Sequence, residues 1–128
     1  MERSTTQRAA IRAAFAATDR PLSPQEVLAA ARAQVPTLGP ATVYRTLNAL
    51  AAAGTLIPVT FPGEPARYEV AGKKHHHHFF CRLCRRAFEL AGCPGRLSRL
   101  GPPGFRVDHH EVTLYGVCAD CGAAAGAE

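Results

Sequence analysis

Four of the five cysteines in this 128-residue chain fall into two CxxC pairs, Cys81-Arg82-Leu83-Cys84 and Cys118-Ala119-Asp120-Cys121. Two residues between cysteines let both thiolates of one turn reach a single ion, and two such turns complete the tetrahedral sulfur cage that zinc prefers. Four thiolates leave no open coordination position, so the spacing predicts a structural zinc and not a catalytic one. Thiol–disulfide exchange, the competing use of a CxxC, needs one pair and leaves the other without a task.

The other chemistry-bearing stretch is His75-His76-His77-His78, which runs directly into Phe79-Phe80-Cys81. A purification tag sits at a terminus, whereas this tract is internal. In an extended strand successive side chains alternate, which turns His76 and His78 to one face and His75 and His77 to the other. That is two potential metal sites back to back. On the first face Glu69 and Glu89 are candidate further ligands, and a site built from them joins the two halves of the chain. The second face can recruit His110, with Cys93, Asp108 or Glu111 as a fourth ligand; those carboxylates fit a surface role equally well.

These residues are unevenly placed. Residues 1 to 70 hold no cysteine or histidine, and residues 75 to 121 hold them all. We therefore expect a first domain over 1–70, a hinge over 71–74 (Ala71-Gly72-Lys73-Lys74) and a metal-binding domain over 75–128. Domains this small bury little surface and gain from a metal staple. With 47% hydrophobic and 20% charged residues the chain is globular and not disordered. No apolar run approaches the roughly 20 residues that span a bilayer, and Met1 to Arg8 lacks a signal-peptide core, so a cytoplasmic, membrane-free protein is expected. Free or metal-bound cysteines suit that reducing compartment. The net charge of +5 permits a polyanion partner without demanding one.

The first half reads as helices followed by a hairpin. Ser4-Thr5-Thr6-Gln7 is a capping-box pattern ahead of a helix with Ile11, Ala14 and Phe15 on its apolar face. Ser23-Pro24-Gln25-Glu26 is a stronger one, with Val27, Leu28 and Ala31 inward. After Pro36 and Gly39-Pro40, residues 41 to 53 form a third helix with Val43, Leu47 and Leu50 inward, and Gly54 stops it. Leu56 to Phe61 and Ala66 to Val70, joined by Pro62-Gly63-Glu64-Pro65, read as a β-hairpin. Three helices and a hairpin make a winged helix-turn-helix. The third helix turns Thr42, Tyr44, Arg45 and Asn48 outward, hydroxyl, amide and guanidinium groups that can read base edges or grip phosphate in double-stranded DNA. A merely solvated helix face has the same pattern. The second half alternates strand candidates (Phe79-Phe80, Ala87 to Leu90, Phe105 to Val107, Val112 to Val117) with turns and a short helix near Arg96 to Leu100. Its apolar mass is small, so it needs the zinc and a partner subunit. The fold class is α+β: an N-terminal winged helix-turn-helix, then a small α/β domain around the four-cysteine zinc.

Taken together, Gly39-Pro40-Ala41-Thr42-Val43-Tyr44-Arg45-Thr46-Leu47, Arg67-Tyr68-Glu69, His75 to His78, Cys81-Arg82-Leu83-Cys84 and Leu114-Tyr115-Gly116-Val117-Cys118-Ala119-Asp120-Cys121 resemble the ferric-uptake-regulator family, most of all its zinc-sensing members. The resemblance covers nearly the whole chain. It implies a homodimer with the second half as dimerisation domain, binding to operator DNA, and repression of metal-homeostasis genes when a sensing metal is bound. By position it implies an interdomain sensing site of Glu69, His76, His78 and Glu89 and a second site of His75, His77 and His110. Pro21 stands where many members carry a further sensing-site histidine. The segment between the CxxC pairs is shortened, so the usual carboxylate of the second site becomes Cys93 or Arg96. Histidines with an available thiolate suit zinc better than iron or manganese, which stay as alternatives for the regulatory metal. Glutamate at 69 and 89, where peroxide sensors of the family tend to carry aspartate, argues against peroxide sensing. The readings outside this class are a zinc buffer without DNA binding and a zinc hydrolase; for the latter no HExxH or serine–histidine arrangement is present.

Overall fold

Three helices and a hairpin build the first part of the computed structural model, which describes residues 3–125. Helix α1 spans Arg3–Ala16. It buries Ala10, Ile11, Ala14 and Phe15, one face at helical spacing. Ser4 lies inside this helix and not ahead of it, so the first capping-box expectation fails on the backbone; its side chain lies outside the described residues. Helix α2 spans Pro24–Ala31 and carries the full capping box. Ser23 Oγ accepts from the Glu26 amide at 3.1 Å, and Glu26 Oε1 accepts from the Ser23 amide at 2.9 Å. Two of the otherwise orphaned N-terminal donors are thereby satisfied.

Helix α3, Pro40–Ala52, buries Val43, Leu47 and Leu50. It ends at Gly54, whose φ of +80° is the left-handed conformation that glycine adopts without Cβ strain. Strands β1 (Leu56–Val59) and β2 (Arg67–Val70) pair antiparallel, Leu56 opposite Val70 and Val59 opposite Arg67. Leu22 adds a bridge to Tyr68, with N–H···O distances of 2.8 and 2.9 Å in the two directions, and so ties the segment before α2 to the hairpin. Around these elements Ile11, Phe15, Val27, Leu38, Val43, Leu47 and Tyr68 form one hydrocarbon core.

The chain divides into two units, Met1–Lys73 and Lys74–Glu128. In the second, β3 (His76–Cys81) is the centre of a three-stranded sheet in the order β4-β3-β5, with β4 at Ala87–Ala91 and β5 at Thr113–Gly116. β3 runs antiparallel to β4 and parallel to β5. A 3-10 turn, Leu97–Leu100, lies where the short helix is expected. Phe105 to Val107, expected as a strand, has no regular structure; its alternation has no partner strand to satisfy it. A short helix α4, Ala119–Ala125, begins inside the second CxxC pair, includes Cys121, and is unforeseen. No helix among the described residues is long and apolar enough to cross a membrane.

Candidate metal centres and nucleic-acid face

The four-cysteine cluster follows from sheet register. β3 delivers Cys81 at its last position, paired with Gly116 of the parallel β5, which lies two residues before Cys118. Arg82 N–H bonds Gly116 O at 2.8 Å and fixes the two CxxC turns side by side. The first turn closes through Arg85 N–H to Cys81 O at 2.8 Å, with Arg85 at φ +62°. The sulfurs of Cys81, Cys84, Cys118 and Cys121 all lie within 4.8 Å of one another, and Cys84 Sγ is 3.8 Å from Cys118 Sγ. A regular tetrahedron with Zn–S of about 2.3 Å has S···S edges of about 3.8 Å. The residues fit a zinc ion in size and in donor set.

The electrostatics prepare the same site. Burial pushes the Cys81 thiol up, but the amides of Cys84 and Cys118, at 3.4 and 3.3 Å, and that of Leu83 outweigh it and bring Cys81 down to about 5. The hydrogen bond with Cys118 and then burial hold Cys121 up at about 12, and burial raises Cys84. A lowered Cys81 thiol thus stands beside raised Cys84 and Cys121 thiols, and a dication among the four sulfurs would favour the thiolate form of each.

The histidine tract alternates as a strand must. On one face His75, His77, Cys93 and His110 place their ligand atoms within 4.8 Å of one another. His75 Nε2 is 3.1 Å from His110 Nε2, His77 Nε2 is 3.3 Å from Cys93 Sγ, and Cys93 Sγ is 3.5 Å from His110 Nε2. Tetrahedral zinc with these donors has N···N edges of about 3.3 Å and N···S edges of about 3.5 Å. Burial, then the neighbouring His75 and His110, keeps His77 below the usual histidine range. Cys93, and neither Asp108 nor Glu111, stands with the three histidines: Asp108 Oδ1 accepts from Arg106 at 3.0 Å, and Glu111 Oε2 meets His109 at 3.1 Å. Arg96 lies at the start of the 3-10 turn, outside the cluster.

On the other face the rings of His76 and His78 stand 4.9 Å apart at 80°. Glu89 on β4 is the cross-strand partner of His78. Among the described residues no group of three ligand atoms within 4.8 Å includes Glu89. Glu69 belongs to β2 of the first unit, opposite Ile57. Pro21 is fully buried and brings no donor side chain.

In the first unit the outward face of α3 carries Tyr44, Arg45 and Asn48 exposed and Thr42 half-buried. Arg45 Nη2 donates to Thr42 Oγ1 at 3.2 Å, which holds the guanidinium along the helix. Sequence reasoning misses a backbone group at the second cluster, the Val112 amide, which donates to His77 Nδ1 at 3.1 Å. It also misses how Cys93 is aimed. The signal was present in Gly92-Cys93-Pro94-Gly95, where both glycines take positive φ and turn the chain back toward β3.

Comparisons with known proteins agree with this architecture. The ferric uptake regulation protein of Campylobacter jejuni is 39% identical over 87 residues, 66% of this chain and 55% of that protein, so the chain spans little more than half the length of that relative. The solved ferric uptake regulator from Francisella tularensis with iron is 28% identical and superposes with a TM-score of 0.72 over 94% of this chain and 92% of that one. FurB from M. tuberculosis, described as a zinc uptake regulator, is 31% identical with a TM-score of 0.52 over 93% and 95% of the two chains. The profile of the ferric uptake regulator family matches residues 2–115, and the chain belongs to that family.

Proposed function

We propose that the protein is a cytoplasmic, homodimeric transcriptional repressor of metal-homeostasis genes that binds operator DNA when a regulatory metal, zinc in our reading, is bound. The observation that carries this is the pairing, in one chain, of a helix-turn-helix with a polar exposed α3 and a second unit with two ion-sized donor clusters. In this reading α3 enters the major groove and Thr42, Tyr44, Arg45 and Asn48 meet bases and phosphates. β5 supports the dimer: it is an edge strand, and Leu114 and Tyr115 are 50% and 56% exposed. The four-cysteine zinc holds the second unit together.

Glu69, His76, His78 and Glu89 are the proposed sensing site, and His75, His77, Cys93 and His110 the second site. The alternation along β3 and the pairing of His78 with Glu89 support the assignment of faces. Metal on the sensing face would bias the spacing of two DNA-binding halves, and it can do so only by its difference in affinity between the two arrangements. Iron or manganese is the alternative regulatory ion, favoured by the oxygen ligands Glu69 and Glu89.

The test is affinity for DNA upstream of the chain's own coding region, measured against free metal. His76→Ala with His78→Ala should abolish the metal response and keep the four-cysteine zinc; His75→Ala with His77→Ala should cost less. Arg45→Ala should weaken binding at every metal level and reduce the salt slope by about one. If the 75/77 pair is the more damaging, the faces are reversed. If the chain binds zinc but shows no specific affinity for DNA at any metal level, it is a zinc buffer.

A further inference from the structure

The segment from Cys93 to His110 has no buried residue. Between its ends lie one 3-10 turn, Leu97–Leu100, and one turn closed by Phe105 N–H to Pro102 O at 3.0 Å, and Leu100 and Phe105 are 80% and 71% exposed. Its ion pair Arg106–Asp108 is a solvent-exposed neighbour pair, which contributes little. Yet both ends come together on β3: Cys93 Sγ and His110 Nε2 lie 3.5 Å apart and reach His77 and His75. A loop with no core of its own is held at its two ends by the donors of one candidate metal site.

The donor set is three imidazole nitrogens and one thiolate, with no carboxylate. Sulfur favours zinc and other borderline or soft ions, whereas manganese and ferrous iron favour oxygen. The distances of 3.1, 3.3 and 3.5 Å are those that donors around one small ion share, and it is the donor set that separates zinc from manganese.

Resting on the reading of this cluster as a metal site, we infer that Cys93 makes it a zinc-selective clip whose ion closes the loop 94–109 onto β3. The thiolate selects the ion, and the ion replaces the hydrocarbon core that the loop lacks. Closing such a loop costs chain entropy that the exposed side chains do not repay, so the loop opens when the ion leaves. Arg96, Arg99 and Arg106 are already exposed, and once the loop opens its backbone can take the extended form that a protease needs to cut after them.

Trypsin cleavage after those three arginines, followed by mass spectrometry on the full chain with zinc retained in the four-cysteine cage, tests the inference. At free zinc about 100 times the dissociation constant the closed form gains about 100-fold, and cleavage should slow by up to that factor. Manganese at the same concentration should leave cleavage fast. Cys93→Ser should lose the zinc protection, and Cys93→Glu should make manganese protect. Zinc protection of Cys93→Ser equal to the parent overturns the role of the thiolate. If His110→Ala is also protected and binds as much zinc as the parent, the cluster is not a metal site and the reading beneath the inference falls. If the parent binds zinc there and His110→Ala does not, but cleavage of the parent is unchanged by zinc, the site stands and the clip is wrong.

Discussion

The two units of this chain solve one problem with different materials. Residues of the first, among them Ile11, Val27, Leu38, Val43 and Leu47, are 0 to 1% exposed and form a hydrocarbon core. Among the described residues of the second, the buried hydrophobic side chains are Phe80, Cys81, Ala87 and Cys118, two of which belong to the four-cysteine cluster. The hydrophobic effect scales with apolar area removed from water, so the second unit has far less of it to draw on. A coordination bond set is compact, so a metal held by those four cysteines would stand in for a core. The lesson is that the first unit should tolerate chemistry that the second cannot, and that each should fail under a different insult.

The largest effect expected is loss of the four-cysteine zinc. A structural zinc site contributes on the order of 10 kcal/mol to folding, against about 5 to 15 for a whole domain. Chelation, or Cys118→Ser, should therefore unfold the second unit and abolish dimerisation while the helical signal of the first persists. Calorimetry with and without chelator, together with bound-zinc analysis, reads this directly. A Cys118→Ser protein that stays zinc-loaded, dimeric and cooperative in melting contradicts the division of labour.

Next in size is the reciprocal cut. Leu47 is fully buried on α3 and packs in the core with Val43 and Ile11. Leu47→Ala should cost about 2 to 5 kcal/mol through lost transfer energy and the cavity left behind. Urea unfolding followed by helical circular dichroism measures it. Zinc stoichiometry should not change; if Leu47→Ala releases the cysteine-bound zinc, the two units are not separately held.

What the sequence made legible divides along the same line. Local chemistry was readable: the cap at Ser23 needs only residues 23 to 26, the buried face of α3 needs only period 3.6, and the CxxC turns carry their own geometry. The period of two in His75 to His78 likewise separated the two faces of β3. Long-range partners were not readable. Leu22 meets Tyr68 across 46 positions (68 minus 22), and nothing near Leu22 marks it for a bridge. Leu38 lies in the connection between α2 and α3 and is buried without a periodic pattern to predict it. Phe105 to Val107 alternates like a strand but finds no partner. Helix α4 was readable in principle, because Ala119-Asp120-Cys121-Gly122-Ala123-Ala124 is alanine-rich; the strength of the CxxC signal drew it into a turn. Cys93 entered as one of several possible ligands, and only the turn at Gly92 and Gly95 singles it out.

The smallest effect sharpens the comparison most, because it concerns hydrogen bonds alone. Ser23 is 8% exposed, its hydroxyl accepts from the Glu26 amide, and the Glu26 carboxylate returns the bond and also takes Arg20 Nη2 at 2.9 Å. Ser23→Ala removes one arm of that box and leaves the Glu26 amide partly shielded from water, so the cost should be about 1 kcal/mol. Ser23→Gly should cost only a few tenths relative to serine, because glycine suits the N-cap backbone and admits water. Both values belong to the first unit, so they should be identical, within error, in zinc and in chelator when read by helical circular dichroism in urea. A Ser23→Ala penalty that appears only in the zinc-loaded protein would mean that the stability of α2 depends on metal in the second unit, and the separation of hydrocarbon-held from metal-held structure would have to be abandoned.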